Sequence, residues 1–574
     1  MRMPSTTIQF FFLSTFSSLS PVFIQSPCMH CKQHEDKGVM IIKKVGSSTA
    51  LLAAMLCIRL ANSAGRSLFG WRSIFVSGFA STTVSSFRPS PKGGAQSVSS
   101  IPPQQTRFLK SQAGSIAEPE VKVPKNFVPH PFEYHEVIQL RIEKLTNRGL
   151  GLARVTLSDD QSSRLAEYNN KGTSGIEAMP LDEQASESQW VVFVPSVIPG
   201  EVVKARIFRN LKNYSEADLL EVMEASEHRQ IPKCHLAGEC GGCQLQHMSI
   251  EAQREMKTHH VKGGLAQFDI KNVEVMPCMG TNEIYEYRSK LTPHYNHPSK
   301  SRRGVKNVES GSPEKMIEAI GFQKQSSRQL VDVDSCLIAT PEVNRAYQKS
   351  RETLLSEPPK GKKGATLLFR QANIGDEHVE TNHKMFITTT VDGLNFTYRA
   401  GNFFQNNNYV LPLMVESVVK EATSGGEMTH LADCYCGSGL FALSSSKYFE
   451  RVVGIEINDM AIAEATANAQ QNKIENCEFL AASAENIFSV ISDFPRDTSV
   501  VVLDPPRKGC SEDFLSQLKE FAPKRVVYMS CDPTTQARDA TFIVDSGYEI
   551  TLVQPFDLFP QTRHIECLMI FERK

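Results

Sequence analysis

At 574 residues, with 41% hydrophobic and 22% charged residues, the chain has a globular composition and exceeds one hydrophobic core, so its length predicts roughly three or four domains. The formal net charge of −1 hides an asymmetry: residues 1–130 carry 14 Lys and Arg against four acids (Glu35, Asp36, Glu118, Glu120), which leaves the remainder at −11. So acidic a body excludes non-specific nucleic-acid binding over the whole surface; any RNA contact must come from a local basic patch.

Residues 1–130 are rich in Ser, Thr, Phe and Arg and poor in acids, with Pro and Gly gathered at SSFRPSPKGG. We read them as a targeting leader for a plastid or mitochondrion, the alternatives being a disordered tail on a cytoplasmic protein or a start at Met40 or Met55. The apolar stretches IQFFFLSTFSSLSPVFI and STALLAAMLCIRLANSAG are broken by Ser, Pro or Arg59, so no membrane span is expected. No obligate protein partner is evident either.

From 132 to 226, VIQLRIEKL, GLGLARV, WVVFVPSV, GEVVKARIFR and ADLLEVMEA alternate apolar and polar residues, with turns at Asn147-Arg148-Gly149 and Pro199-Gly200. This predicts a five-stranded OB-like β-barrel with a loose polar loop over SDDQSSRLAEYNNKGTSGIEAMPLDEQASESQ. LTNRGLGLARV followed by VPSVIPGEVVKARI resembles the TRAM domain, an RNA-binding barrel; Lys204, Arg206, Arg209 and Lys212 are its candidate basic face, or else a merely solvated strand edge.

Residues 227–395 predict a mixed α+β central domain with a helix over SIEAQREMKTHHVKGGLAQF and a Lys/Arg/Ser-rich insert, HPSKSRRGVKNVESGSPEK. Arg288, Lys290, Arg302 and Arg303 are candidate RNA contacts. Cys234, Cys240 and Cys243 fall within ten residues in a C-x5-C-x2-C spacing, which points to metal rather than to disulfides in a reducing compartment. A fourth ligand is needed: Cys336 is the best placed, with Cys278, His235 and His247 as alternatives. Spacing leaves zinc and a 4Fe-4S cluster both open.

From 396 to the end, strands THLADCYCG, RVVGIEI, CEFLAA, SVVVLDPP, KRVVYMSC, YEITLVQPF and IECLMIF alternate with helices over the first six. The pattern predicts a Rossmann-like, doubly wound α/β sheet with its ligand at the carboxyl ends of the strands. Cys436-Gly437-Ser438-Gly439 at the first strand end and Glu456 at the second describe a nucleoside cleft. One short Gly-x-Gly and the further acid Asp504 after the fourth strand suit a cationic sulfonium better than a pyrophosphate, hence S-adenosylmethionine. Cys531 lies 27 residues after Asp504 and 35 before Glu566.

In the order GNFFQNN, DCYCGSG, GIEIN, LDPPRKG, MSCDPTTQARD and HIECLMIF, residues 132–574 resemble the TRAM-containing, bacterial-type RNA uracil-C5 methyltransferases acting on ribosomal or transfer RNA. The resemblance implies that Gln405, Tyr435, Glu456 and Asp504 contact S-adenosylmethionine, that Cys531 is the nucleophile and that Glu566 is the general base. GFQKQSSRQLVDVDSC is similar to the segment bearing the fourth Cys in cluster-bearing members, which implies 4Fe-4S on Cys234, Cys240, Cys243 and Cys336, with zinc as the alternative. The chain departs at Leu440, where relatives often carry Asn, and in the length of its inserts.

The chemistry asks for these groups. Uracil C5 becomes nucleophilic only when a thiolate adds at C6, and a base must then take the C5 proton so that the thiolate can leave. The uridine must also be flipped out of its stack, with Phe403 and Phe404 either lining that pocket or packing in the core. Two other classes fit parts of the pattern: a cytosine-C5 methyltransferase, and a catalytically idle RNA chaperone on the same fold.

Overall fold

The computed structural model describes residues 123–171, 189–296, 299–300, 315–359, 363–483 and 487–574, with four short strands before them. Two compact units divide the chain, Met1–Ala117 and Glu118–Lys574. In the first, Ile8–Gln9 pairs with Phe23–Ile24 and His30–His34 with Val39–Lys43. The rest of the expected targeting leader lies outside the described residues, as do Arg302 and Arg303.

The second unit opens with strands β1 (Val137–Arg141), β2 (Lys144–Leu145), β3 (Leu150–Thr156), β4 (Gln189–Pro195), β5 (Val202–Asn210) and β6 (Tyr214–Glu224), ordered β1-β5-β6-β4-β3-β2. The run 137–145 closes this sheet on itself. Its first part pairs with β5, the Ile142 N–H reaching Glu201 O at 2.9 Å, and its second part pairs with β3, the Glu143 N–H reaching Leu152 O at 2.9 Å. Alternate side chains point inward, as the period of two requires, so Trp190, Val192, Val194, Val203, Ala205 and Ile207 fill the barrel. The predicted polar loop differs: it begins as helix α1 (Asp159–Lys171), and 172–188 lie outside the described residues.

Helix α2 (Ile250–Gln267) starts where Ser249 Oγ accepts from the Ala252 N–H at 3.3 Å. Its Val261 and Leu265 do not stay within the central region but join the core on one face of the large sheet. Around it, short strands such as Ile320–Gln323 and Phe369–Gln371 pack with helix α3 (Pro341–Ser356) about Tyr347, whose hydroxyl donates to Ile320 O and Val333 O.

A hairpin, Phe386–Val391 with Leu394–Arg399, and helix α4 (Leu411–Thr423) lead into the seven-stranded sheet. Its strands are β7 (His430–Cys434), β8 (Arg451–Glu456), β9 (Cys477–Ala481), β10 (Ser499–Leu503), β11 (Arg525–Ser530), β12 (Tyr548–Phe556) and β13 (Glu566–Arg573). The order is β9-β8-β7-β10-β11-β13-β12, and β13 runs antiparallel to both neighbours. A wholly parallel sheet is thereby corrected, because the link 557–565 is too short for the crossover that a parallel return requires. Successive residues face opposite cores: Val500, Val502, Val527 and Met529 on one side, Val501, Leu503, Val526 and Tyr528 on the other.

Candidate active site

Strand β7 ends in a turn of unusual backbone. Tyr435, Gly437 and Gly439 have φ of 66°, 54° and 89°, and the Tyr435 and Cys436 N–H groups bond Ile455 O at 2.9 and 3.1 Å. A Cβ at Gly439 would stand 3.1 Å from the Phe479 ring, so the turn lies flat against β9 and leaves its open side to a ligand. Cys434 and Cys436 are buried packing residues, their thiols pushed far up by burial.

Acids from three adjacent strands meet at this turn. Asp433 is fully buried; its Oδ2 accepts from the Ala442 N–H at 2.8 Å, while Oδ1 has no partner. Burial, with Asp504 and Glu456 adding repulsion, raises its pKa to about 8. Asp504, just past β10, is raised to about 7 by burial. Glu456 ends β8 and its Oε1 accepts from the Asn458 N–H at 3.0 Å. An orphaned carboxylate oxygen on Asp433, which Asp504 and Glu456 both repel, fits a cationic nucleoside, as S-adenosylmethionine is. Gln405 is buried, and Tyr435 packs on Phe514 with ring centroids 5.7 Å apart.

Cys531 follows β11 and precedes helix α5 (Pro533–Asp545), which Asp532 caps by accepting from the Thr534 N–H at 3.0 Å. Gly264 of α2 lets the central helix close on it: a Cβ there would come within 3.2 Å of Pro533 O. The half-buried thiol is raised to about 11 by burial, then by Glu566 and Asp504; Arg507 counters them by charge and hydrogen bond. Glu566 opens β13, is 5% exposed, and is held well above the usual carboxylate range by burial and Asp504. Cys531 opens on a cleft, with Glu566 and Asp504 buried within charge range of its thiol. The outer wall of the cleft joins Asn147 of the barrel, His260 of α2, Arg507, and Arg563 with His564 ahead of β13.

The sequence profile of a family described as tRNA (Uracil-5-)-methyltransferase matches residues 376–574. A Schizosaccharomyces pombe protein named tRNA (uracil(54)-C(5))-methyltransferase is 35% identical over 488 residues, covering 81% of this chain and 89% of its own. A Saccharomyces cerevisiae protein of the same name is 30% identical over 507 residues, covering 78% and 75%. The chain belongs to the tRNA (uracil-5-)-methyltransferase family. It is thus an S-adenosylmethionine-dependent RNA uracil-C5 methyltransferase. Its fold matches that of Pyrococcus abyssi tRNA (uracil-54, C5)-methyltransferase, solved with S-adenosyl-L-homocysteine, at a TM-score of 0.53 and 21% identity over 76% of this chain and all of that one.

In this methyltransferase the four cysteines expected to bind metal come together from distant positions. Cys243 is raised to about 12 by burial, with Cys336, Cys240 and Cys234 each adding repulsion. Cys278 is elsewhere, beside Asp557, Lys257 and Arg254, and His247 Nε2 lies 3.2 Å from Val197 O. Among the described residues no three His, Cys, Asp or Glu side chains meet at the spacing of a single metal ion.

The candidate RNA contacts are mostly engaged. Cross-strand pairs join Lys204 to Glu221 at 3.1 Å, Arg206 to Asp218 at 3.1 Å and Arg209 to Glu216 at 3.6 Å, so this strand face is a ladder of neutralised charges. Lys290 Nζ donates to Gly401 O and Asn402 O, and Arg288 Nε to Lys290 O. Phe404 is core, stacked on Tyr398 at 4.3 Å, whereas Phe403 is 76% exposed.

Sequence reasoning missed the clamp behind Glu566. Lys257, fully buried, donates to Asp557 Oδ1 at 2.5 Å and to Phe559 O at 3.2 Å. Gln253 and Gln561 exchange amide hydrogen bonds of 3.0 and 2.9 Å, Asn407 donates to Leu558 O, and Tyr287 to Pro560 O. Arg507 carried a signal, since it stands in the quoted LDPPRKG; the clamp, bridging some 300 positions, carried none.

Proposed function

We propose that the methyltransferase forms 5-methyluridine at position 54 of tRNA, with Cys531 as nucleophile and Glu566 as base. The position comes from the names of the two fungal relatives. The observation that carries the residue roles is the charge coupling of Cys531 to the buried Glu566 and Asp504, with Arg507 opposing it. S-adenosylmethionine supplies the methyl group and a positive sulfonium, and Gln405, Tyr435, Glu456 and Asp504 hold it.

Cys531 Sγ bonds uracil C6, Arg507 favouring the thiolate, and C5 becomes nucleophilic. Before this bond forms, Cys531 and Glu566 compete for negative charge. Once the sulfur is neutral in the C–S bond, Glu566 is freed to ionise and take the C5 proton, and Cys531 departs. The barrel, on its likeness to TRAM, binds RNA. Cys234, Cys240, Cys243 and Cys336 hold a 4Fe-4S cluster with a structural role, supported by their convergence and by the GFQKQSSRQLVDVDSC segment. The leader directs the protein to an organelle, which fractionation of the native protein tests.

Nucleoside mass spectrometry of unmodified tRNA and ribosomal RNA, each incubated with protein and S-adenosylmethionine, tests the substrate. Methylation of tRNA at position 54 alone is expected; 5-methyluridine only in ribosomal RNA would overturn it.

A further inference from the structure

Apart from Lys144, the cations of the barrel strands lie in ion pairs: Arg141 with Glu224, Arg154 with Glu143, and the three pairs along β5 and β6 described above. Two arginines near the Cys531 cleft differ. Arg148 stands exposed on the turn between β2 and β3, and Arg563 stands half-buried three residues before Glu566. Among the described residues neither forms an ion pair. The turn and the 561–563 segment are fitted together: Arg563 Nη1 donates to Asn147 O at 3.3 Å, and a Cβ on Gly149, whose φ of 75° suits glycine, would lie 3.9 Å from Arg563 Cβ. Asn147 and Arg563 both line the wall of the cleft that holds Cys531.

We infer that Arg148 and Arg563 form a phosphate-binding pair at the mouth of the nucleophile cleft, gripping the ribose-phosphate backbone beside the flipped uridine. Two guanidinium forks from different parts of the fold suit phosphate oxygens, which accept planar paired donors. The local charge asks for an anion: Arg507 and Arg148 both repel the Arg563 guanidinium, and the opposing group is Asp532, already spent in capping α5. His564 beside it is held neutral, its pKa lowered to about 4 by burial and by Arg563, Arg507, Lys257 and Arg288. A phosphate here would tie the barrel turn to the segment carrying the base, so that backbone binding and placement of Glu566 become one event. In a body of net charge −11, this is the local basic patch that RNA binding demands.

The inference rests on RNA being the substrate, and one set of samples separates the two. Binding of full-length protein to tRNA is followed between 50 and 200 mM salt for wild type, Arg148→Ala, Arg563→Ala, the double variant and the Arg→Lys pair, with 5-methyluridine formation read alongside. Each Ala change is expected to remove about one phosphate contact, lowering the slope of log affinity against log salt by roughly 0.7–0.9, and to raise KM more than it lowers kcat. Lys at both positions should restore the slope without the full affinity. Wild-type slope and affinity in both Ala variants would overturn the pair while leaving the methyltransferase reading intact. Altered slopes with a wild type that forms no 5-methyluridine would uphold the pair and overturn that reading.

Discussion

Cys531 sits where two demands conflict. As the proposed nucleophile its sulfur must be anionic to attack, yet burial and two acids hold its proton on up to about pH 11, with Arg507 pulling the other way. Thiolate is therefore scarce at neutral pH, and kcat/KM should rise through pH 7–9 without a plateau. Arg507→Ala removes the counterweight, so the rising limb should move to higher pH, with about tenfold less activity per unit moved. A profile that keeps its position would show that Arg507 does not act on the thiol. The buried acids at the glycine turn carry a linked effect on stability. Asp433 and Asp504, raised to about 8 and about 7, bind more protons folded than unfolded, so they stabilise below pH 4 and that contribution is lost as pH rises through 7–8. The melting temperature of the cofactor-free protein should fall across that window, less steeply for Asp433→Asn, and an equal slope in the variant would remove Asp433 as the cause.

At the scale of elements, the segment from β12 to β13 is held by groups outside itself. Lys257, Gln253, Tyr287 and Asn407 reach it from α2 and from loops beyond, which fixes where Glu566 begins β13. Lys257→Met leaves the Asp557 carboxylate buried with only Arg254, 3.4 Å away, and should cost about 3–5 kcal/mol in urea unfolding. A loss within the scatter of surface substitutions would mean that the pair is not a clamp. The strands themselves were legible because valine-rich runs such as SVVVLDPP and KRVVYMSC are buried on both faces and end in the motif residues. The direction of β13 was not, because an apolar strand reads alike in either sense and only the shortness of 557–565 decides it. Nor was the pairing of Lys204, Arg206 and Arg209, since cross-strand register places their acids opposite and a linear reading sees only the bases.

For the whole molecule, the division at Ala117 separates residues 1–117 from a unit in which the barrel turn, α2 and the large sheet meet at one cleft. Residues 118–574 alone should methylate tRNA at the full-length rate; a lost activity restored by adding back residues 1–117 would contradict that division. Anaerobic purification should give a brown protein whose iron falls when Cys336→Ser is introduced, whereas a colourless protein with stoichiometric zinc would exclude the cluster. The candidate site residues were readable as a group because their motifs follow strand ends in order. The union of barrel and base at Arg148 and Arg563 was not, because it exists only once Asn147 and Arg563, 416 positions apart, meet.

The covalent cycle is tested most directly by Glu566→Gln incubated with tRNA and S-adenosylmethionine, followed by denaturing electrophoresis and mass spectrometry of the peptide containing Cys531. Attack and methylation should proceed while proton removal stalls, so a denaturant-resistant protein–RNA adduct carrying the methylated base on Cys531 is predicted. Free 5-methyluridine at the wild-type rate, with no adduct, would contradict the assignment of Glu566 as the base.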